Sequence, residues 1–244
     1  MSAHHFFLPS VEGDTLVIEG DDARHAVRVL RIAPGETITI SDGRGRVATA
    51  TVTDAGTDAG TDAGRDLRAH VNERRDVASI RPALTVYQAI PKHGKLEQVV
   101  QTLTQCGAAA IVPFRAARSI AKWDAAKAAA NVARLRIVAR EAAMQSRRAH
   151  LPVVDDVIGL DQIPAGTIAL HEDASVRLST LLPSEPPPAI ALAVGPEGGF
   201  SAVEIAELSD RGCPTATLGD LVLRTEVASV VAAAVTLTRY GALG

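Results

Sequence analysis

The fold is indicated first by a stretch that begins Ala189-Ile190-Ala191-Leu192-Ala193-Val194-Gly195-Pro196-Glu197-Gly198-Gly199-Phe200-Ser201 and continues to Glu226. It contains two short apolar runs, residues 189–194 and 215–218, and each run ends in a glycine-containing turn. Apolar runs of this length, bounded by Gly and Pro, are typical of central strands in a parallel sheet, where ligands bind beyond the carboxyl ends of the strands. The sequence therefore predicts that the two turns line one pocket.

The first turn has the composition of a binding loop made of backbone. Gly195, Gly198 and Gly199 permit positive φ and a close approach of main-chain N–H and C=O groups to a ligand. Ser201 and Glu204 have the spacing of a capping box, so a helix is expected from about residue 202. A simple strand-to-helix turn would share these features. The turn matches neither G-x-G-x-x-G nor G-x-x-x-x-G-K-[ST], which argues against a dinucleotide or P-loop triphosphate site.

Composition restricts the class of protein. The chain has 244 residues, of which 47% are hydrophobic and 22% charged, enough for one large or two modest domains. No apolar run approaches the roughly 18 residues of a membrane span, and the N-terminus lacks a signal pattern, so we expect a cytoplasmic protein that does not enter a membrane. Cys106 and Cys213 lack metal-ligand spacing, so neither a disulfide framework nor a metal site is expected.

The charge is distributed unevenly along the chain. Residues 79–150 hold 12 Lys or Arg and 3 Asp or Glu. Residues 1–78 hold 9 basic and 13 acidic residues, and residues 151–244 hold 4 basic and 12 acidic residues. A basic block of this kind is expected of a protein that meets the phosphates of a nucleic acid on one face. The alternative is a solvated helix surface whose charge is balanced by the acidic segments.

Residues 1 to about 78 predict a small β-barrel. Short alternating runs occupy residues 5–8, 15–18, 37–40 and 47–52, with Asp42-Gly43 as a hairpin turn between the last two. A helix is expected over about residues 21–31, where Arg24, Arg28 and Arg31 would share one face as an RNA-binding stripe or as a solvated surface. Residues 53–64 are three copies of Thr-Asp-Ala-Gly, which predict a mobile extension without an assigned function.

From Pro82 onward, apolar runs alternate with helical patterns, which predicts an α/β domain with a mostly parallel sheet. Its strands are expected near residues 84–90, 111–112 and 168–170 and at the two runs quoted first. The last helix, about residues 226–240, is apolar nearly all round in its first half. Such a helix is buried on every side, either in the core or by a second subunit, so we expect an oligomer.

A long helix is expected from about Asp124, a good N-cap, to about Arg148. Its faces follow from 100° per residue. The predicted core face holds Leu135, Val138, Ala139 and Ala142; a second face holds Arg136, Arg140 and Arg147; and a third holds Glu141, Gln145 and Arg148. The third set could pair along the helix surface, or could order a loop or a base from elsewhere.

Five separated segments carry a resemblance that covers nearly the whole chain. They are residues 25–31 with Asp42-Gly43; residues 92–107; Glu141-Ala142-x-x-Gln145-Ser146-x-Arg148; residues 195–201 with Glu204; and Leu218-Gly219 with Leu223-Arg224-Thr225-Glu226. In this order and spacing they resemble the RsmE family, the SPOUT-class methyltransferases of small-subunit (16S) ribosomal RNA. The last three segments are the most specific.

The resemblance implies an architecture and a cofactor. Residues 1–78 would form a PUA-like β-barrel that binds RNA, and residues 79–244 a SPOUT α/β domain with a deep trefoil knot. S-adenosylmethionine (SAM) would bind in the knot, and an obligate homodimer would complete the site. The residues implied to hold SAM are Leu170, His171, Glu172, Gly195, Pro196, Glu197, Gly198, Leu218, Gly219, Leu221 and Leu223. Those expected to meet RNA are Arg24, Arg28, Arg31, Arg136, Arg140, Arg147 and Arg148.

The resemblance also implies a reaction, the transfer of the sulfonium methyl to N3 of a uridine in 16S rRNA, free or within the small subunit. The enzyme must align the reacting atoms and remove the imide proton. Arg224 is expected to stabilise the resulting anion. Glu197 and Glu226 are candidate proton acceptors, although either could instead cap a helix or hold a loop. A non-enzymatic ribosome-assembly factor, another nucleotide-dependent enzyme and a SPOUT methyltransferase acting on another RNA stay open as alternatives.

Overall fold

A computed structural model describes residues 4–56, 66–92, 94–119 and 123–243, and its contacts divide the chain into two compact units. The N-terminal unit comprises Met1–Ser79 and Ala143–Leu151. The C-terminal unit comprises Ile80–Ala142 and Pro152–Gly244. The sequence suggested a boundary near residue 78 but gave no sign that residues 143–151 belong with the N-terminal part.

The N-terminal unit is a five-stranded sheet with one helix. Its elements are β1 (His4–Phe7), β2 (Thr15–Ile18), α1 (Gly20–Arg28), β3 (Thr37–Ser41), β4 (Arg46–Asp54) and β5 (Leu67–Asp76). The sheet order is β1-β3-β4-β5-β2, with β1 and β3 parallel and the other pairs antiparallel. Two register shifts along β4 add the local twist that lets the sheet curl around an apolar core that includes Phe6, Ile38 and Leu67.

Two features of this unit depart from the sequence predictions. Strand β5 was not predicted, although Leu67, Ala69 and Val71 are buried and the residues between them are exposed. Helix α1 ends at Arg28, because Ile32 buries its side chain and its N–H donates to the carbonyl of Ala26. Arg31 therefore lies beyond the helix with φ of 56°, so the predicted stripe of three arginines on one helix face was wrong. Residues 57–64 of the repeat lie outside the described residues.

The C-terminal unit is an α/β structure. Its elements are β6 (Ala83–Ala89), α2 (Lys95–Cys106), β7 (Ala110–Arg115), α3 (Ala125–Gln145), β8 (Val153–Val154), β9 (Ile158–Gly159), β10 (Ile168–Leu170), α4 (Leu178–Leu181), β11 (Ala189–Val194), α5 (Ala202–Asp210), β12 (Thr215–Ala216) and α6 (Thr225–Arg239). The sheet order is β12-β10-β11-β6-β7-β8, β9 also pairs with β7, and every pair is parallel. The predicted parallel sheet is confirmed.

Helix α3 begins as predicted but ends early. The Asp124 carboxylate accepts a hydrogen bond from the N–H of Lys127 at 2.8 Å, as expected of an N-cap. At the other end, the N–H of Arg148 donates to the carbonyl of Ala143, and Arg147 has φ of 55°. These contacts close the helix at Gln145.

The early end of α3 alters two of its predicted faces. Leu135, Ala139 and Ala142 are buried, which confirms the core face. Neither Arg147 nor Arg148 continues the helix, so their predicted alignment with the arginines and polar residues of earlier turns was wrong. The segment Ala143–Leu151 belongs to the N-terminal unit.

Helix α6 buries one face rather than its whole surface. Ser229, Ala233 and Leu237 are buried, whereas Val227 is 42% exposed and Val231 is partly exposed. The prediction of burial on all sides is therefore not met within one chain. None of the described helices is long and apolar enough to cross a bilayer.

Candidate active site

The two glycine-containing turns line one cleft, as the sequence predicted. The cleft lies in the C-terminal unit, at the carboxyl ends of the adjacent strands β12, β10 and β11. It contains about 650 Å³ of space, including its open mouth.

Most of the residues predicted to bind a cofactor lie in the walls of this cleft. Gly198 and Gly219 are the two exceptions, and the catalytic candidates Arg224 and Glu226 also lie outside the lining. The lining residues that the prediction omitted are Val194, Gly199, Phe200, Ala216, Thr217, Val222, Thr225 and Ala228. They include the last residues of β11 and β12 and the first turn of α6, next to the predicted loops.

The turn after β11 is held by local hydrogen bonds. The N–H of Gly199 donates to the carbonyl of Pro196 at 2.8 Å. A Cβ on Gly195 would lie 3.2 Å from backbone and ring atoms of Gly199 and Phe200, so the close approach favours glycine. The Ser201 hydroxyl accepts from the N–H of Glu204 and the Glu204 carboxylate accepts from the N–H of Ser201, which confirms the capping box.

The same turn is also held by the chain that follows β7. The guanidinium of Arg118 donates to the carbonyl of Gly198 at 2.6 Å. The second oxygen of the Glu204 carboxylate accepts from the N–H of Ala117 at 2.7 Å. The sequence did not indicate these supports, because they join residues about 80 positions apart.

An ion-pair cluster lies beside the cleft. The Lys95 ammonium is 3.0 Å from Oε1 of Glu226 and 3.9 Å from Oε1 of Glu197. The Glu197 carboxylate also accepts from the N–H of Lys92 at 3.0 Å. Lys95 begins helix α2 and was not among the predicted site residues, yet it neutralises both candidate proton acceptors.

The environment of Glu226 keeps its carboxyl group ionised. Burial raises the pKa of Glu226, but the hydrogen bonds from its own N–H and from Lys95, with the positive charges of Lys95 and Arg224, outweigh burial and lower the pKa below its usual value. The other carboxylate oxygen, Oε2, is buried without a hydrogen-bond partner among the described residues. A carboxylate with a lowered pKa is a weak base, so Glu226 is better suited to accepting a hydrogen bond than to removing a proton.

Arg224 ends the second turn as the N-cap residue of α6. Its carbonyl accepts from the N–H groups of Val227 and Ala228, which fixes its backbone. Its side chain is exposed and makes no hydrogen bond or ion pair to the described residues. A guanidinium so placed is available to a ligand.

Comparisons with known proteins agree with this geometry. A family of RNA methyltransferase domains matches residues 79–237, and an RNA methyltransferase PUA domain matches residues 18–60. The ribosomal RNA small subunit methyltransferase E of Mycobacterium bovis is 39% identical over 230 residues, which cover 90% of this chain and 85% of that protein. The chain belongs to the ribosomal RNA small subunit methyltransferase E family.

Two solved structures resemble this methyltransferase E family member over 98% of both chains, each at 27% sequence identity. One is the ribosomal RNA small subunit methyltransferase E of Neisseria gonorrhoeae bound to S-adenosyl methionine, with a TM-score of 0.83. The other is a putative methyltransferase of Legionella pneumophila in complex with the bound cofactor SAM, with a TM-score of 0.85.

In this methyltransferase E family member, some cations of the basic block are used inside the C-terminal unit. Arg136 donates to the carbonyl of Val154 at 2.9 Å and pairs with Asp156 at 3.1 Å. Lys95 pairs with two acidic residues of the last third of the chain, as described above. Part of the basic block is therefore balanced by the acidic segments, which was the alternative explanation of the charge pattern.

Proposed function

We propose that this chain is a SAM-dependent methyltransferase that modifies N3 of a uridine in 16S rRNA. The observation that carries the proposal is the cleft formed by two backbone-rich turns at the carboxyl ends of parallel strands, in a member of a family of rRNA methyltransferases. Two similar proteins of known structure hold SAM, which supports the choice of cofactor.

The residues of the cleft fit SAM. The aliphatic side chains of Leu221 and Val222 are 82% and 80% exposed, and such apolar surface favours contact with an adenine ring. The carboxylate of Glu172 suits a ligand that carries a positive charge. Backbone groups of the turn after β11 supply hydrogen-bond partners for the polar edges of the ligand.

Arg224 and the carboxylates divide the chemistry. Bound SAM supplies an electrophilic methyl group. Arg224, at the start of α6, stabilises the negative charge that develops on the uridine imide as N3 loses its proton. Glu197 and Glu226 are the candidate acceptors of that proton, and the Lys95 ammonium lies 3.9 Å from the first carboxylate and 3.0 Å from the second. The lowered pKa of Glu226 argues against that residue as the base.

The N-terminal unit is proposed to be a PUA-like barrel that binds rRNA in the cytoplasm, either free or in the assembled small subunit. The match of residues 18–60 to an RNA methyltransferase PUA domain supports this role. Arg24, Arg28, Arg31 and Arg147 are exposed and are the proposed phosphate contacts, together with Arg140 and Arg148. Arg24 and Arg136 are weaker candidates, because their guanidinium groups are already paired with Asp21 and Asp156.

The C-terminal unit is proposed to contain a trefoil knot and to form a homodimer. In support of the knot, the chain reaches β12 at one edge of the sheet and then returns as α6, which packs on α2, α4, β6 and β11. In support of the dimer, Val227, Val230, Val231 and Ala234 form a partly exposed apolar stripe along α6.

Two measurements test this function. Calorimetry with purified protein should detect SAM binding, and a non-enzymatic assembly factor would show none. Mass spectrometry of rRNA nucleosides should show that a strain lacking the gene loses 3-methyluridine from 16S rRNA and regains it with the wild-type gene. Loss of a methylated nucleoside from another RNA, with 16S rRNA unchanged, would reassign the substrate.

A further inference from the structure

One buried hydroxyl joins the two walls of the cleft. Thr225, the first residue of α6, donates its hydroxyl hydrogen to the carbonyl oxygen of Gly195 at 2.6 Å. Gly195 begins the turn after β11, and Thr225 directly follows the turn after β12. The same hydroxyl oxygen accepts from Nε2 of Gln88, near the end of β6, at 3.0 Å.

The acceptors around Gln88 fix the direction of these bonds. The carbonyl of Gly195 can only accept, so the Thr225 hydroxyl gives its hydrogen there and can only accept from Gln88. Gln88 Nε2 also donates to the carbonyl of Ala89 at 3.0 Å, which requires the same orientation of the amide. On the other side of the amide, the Ser229 hydroxyl bonds to Oε1 of Gln88.

Burial makes each of these bonds difficult to replace. Gln88 and Ser229 have no exposed surface, and Thr225 is 4% exposed. A polar group that loses its partner in such a place keeps most of its desolvation penalty, because little of its surface is open to water. Hydrogen bonds, rather than apolar contacts alone, therefore set the distance between the two turns.

We propose that Thr225, held by Gln88, is a positioning residue that couples the two walls of the cleft. The bond to Gly195 fixes the wall after β11, and the peptide that joins Thr225 to Arg224 fixes the place from which the guanidinium acts. Both SAM affinity and the rate of methyl transfer then depend on one hydroxyl. For the identity of the ligand and the reaction, the inference rests on the proposed function.

The chain offers closely matched variants for a test. Thr225→Val keeps the shape of the side chain and removes the hydroxyl, whereas Thr225→Ser keeps the hydroxyl. Thr236→Val is the control, because Thr236 lies on the same helix, has no exposed surface and has a hydroxyl without a hydrogen-bond partner among the described residues. Gln88→Met removes the amide and leaves the bond between Thr225 and Gly195 intact.

The experiment measures SAM affinity by calorimetry, and kcat and KM for RNA methylation, on the full chain. We expect Thr225→Val to weaken SAM binding and to lower kcat, each about ten-fold, because the binding-competent arrangement becomes a minor state. Gln88→Met should give smaller losses of the same kind. Thr225→Ser and Thr236→Val should stay within about two-fold of wild type, the serine because it restores the hydroxyl.

The inference would be overturned if Thr225→Val had a SAM affinity and a kcat within two-fold of wild type. It would also be overturned if Thr236→Val lost as much SAM affinity and kcat as Thr225→Val. If Thr225→Val does not fold, Gln88→Met decides, and SAM affinity and kcat equal to those of wild type would then overturn the inference. Hydrogen exchange without ligand separates this inference from the proposed function. Faster exchange at residues 195–199 and 219–224 in Thr225→Val, but not in Thr236→Val, would support the coupling even if wild-type protein bound no SAM.

Discussion

Arg224 is held by its backbone and not by its side chain. As the N-cap of α6 it accepts two hydrogen bonds through its carbonyl, and its following residue is anchored in the core by the Thr225 hydroxyl. The backbone of Arg224 is fixed, and its guanidinium is unpaired among the described residues. Such a side chain requires little rearrangement when a substrate arrives. This is the arrangement expected for a residue that stabilises a transient anion.

Replacing Arg224 should therefore affect the chemical step. Arg224→Ala is expected to lower the single-turnover methylation rate by roughly ten- to a thousand-fold at saturating RNA, the scale of losing one preorganised donor, with little change in RNA affinity. Arg239→Ala, at the opposite end of α6, is the matched control and should methylate at the wild-type rate. Wild-type single-turnover kinetics in Arg224→Ala would assign the anion to backbone amides of the turns.

His5 is a second residue whose surroundings determine its charge. Its Nε2 donates to the carbonyl of Arg148 at 3.0 Å, so Nδ1 is left to accept from the Thr39 hydroxyl at 2.8 Å. Burial lowers the pKa of His5 from 6.5 to about 4; the Arg148 bond opposes this effect, and the charges of Arg147 and Arg75 add to it. The ring is therefore neutral in the folded N-terminal unit at neutral pH.

The lowered pKa predicts a pH-dependent stability. Between pH 6.5 and 4, His5 is protonated in the unfolded chain but not in the folded chain. The contribution of the neutral His5 ring to the free energy of unfolding is therefore complete above pH 6.5 and is lost as the pH falls. Between pH 7.5 and 5 the loss should be about 2 kcal/mol of unfolding free energy. In urea titrations at both pH values, His5→Gln should show a correspondingly smaller pH dependence, whereas His70→Gln, at an exposed site on β5, should behave as wild type. An unchanged pH dependence in His5→Gln would contradict the assignment.

At the scale of secondary structure elements, the first turns of α2 and α6 are joined by charge. The side chain of Lys95 is 30% exposed and that of Glu226 is 12% exposed. A second pair joins Arg134 of α3 to Glu97 of α2, and these side chains are 68% and 37% exposed, respectively. Exposed pairs contribute little because water screens them, but a more buried pair leaves an uncompensated charge when one partner is removed. The two pairs therefore differ in energetic importance although both involve α2.

Lys95→Met should lower the unfolding free energy by about 1 to 3 kcal/mol and weaken SAM binding, because Glu197 and Glu226 then lose their shared cation. Arg134→Met should cost under about 1 kcal/mol and leave SAM affinity unchanged. Denaturant unfolding and calorimetry measure both effects. Adding Glu226→Gln to Lys95→Met should recover part of the stability, and strict additivity of the two changes would show that the pair is not coupled.

Local patterns allowed the elements around the cleft to be predicted. The apolar runs predicted the parallel strands, and Asp124 predicted the start of α3. The spacing of Ser201 and Glu204 predicted the start of α5. Each of these features depends on residues within a few positions of one another, so single-sequence reasoning applies. Strand β5 was missed because its exposed positions are rich in charge, although its alternation over residues 67–71 was visible.

The supports of the cleft could not be predicted in the same way. Gln88, Arg118 and Lys95 each act on residues 80 to 140 positions away. No local period links such pairs, and only the folded sheet brings them together. The predicted ends of α1 and α3 were also wrong. The burial of Ile32 accompanies the end of α1, and the hydrogen bond from the N–H of Arg148 to the carbonyl of Ala143 accompanies the end of α3, so both helices end before their arginine patterns do.

At the scale of the whole molecule, the outer stripe of α6 is the proposed subunit interface, and it predicts the effect of one substitution. Val231→Asp places a charge in this stripe, which should yield monomer or insoluble chain because an unpaired charge is costly to bury. Thr238→Asp, at an exposed position on the same helix, should remain a dimer. Light scattering measures the mass of both. A soluble, active dimer of Val231→Asp would move the interface elsewhere.

The assignment of Ala143–Leu151 to the N-terminal unit affects when that unit can be completed. The His5 ring and the Ser41 hydroxyl find their partners in the carbonyls of Arg148 and Ala149. During synthesis at about 5 to 20 residues per second, the interval between residue 79 and residue 151 is roughly 4 to 14 s. Through that interval the nascent N-terminal sheet lacks part of its own structure. A ribosome stalled once residue 79 has left the exit tunnel should therefore display a sheet that is more sensitive to protease than one stalled once residue 151 has left it.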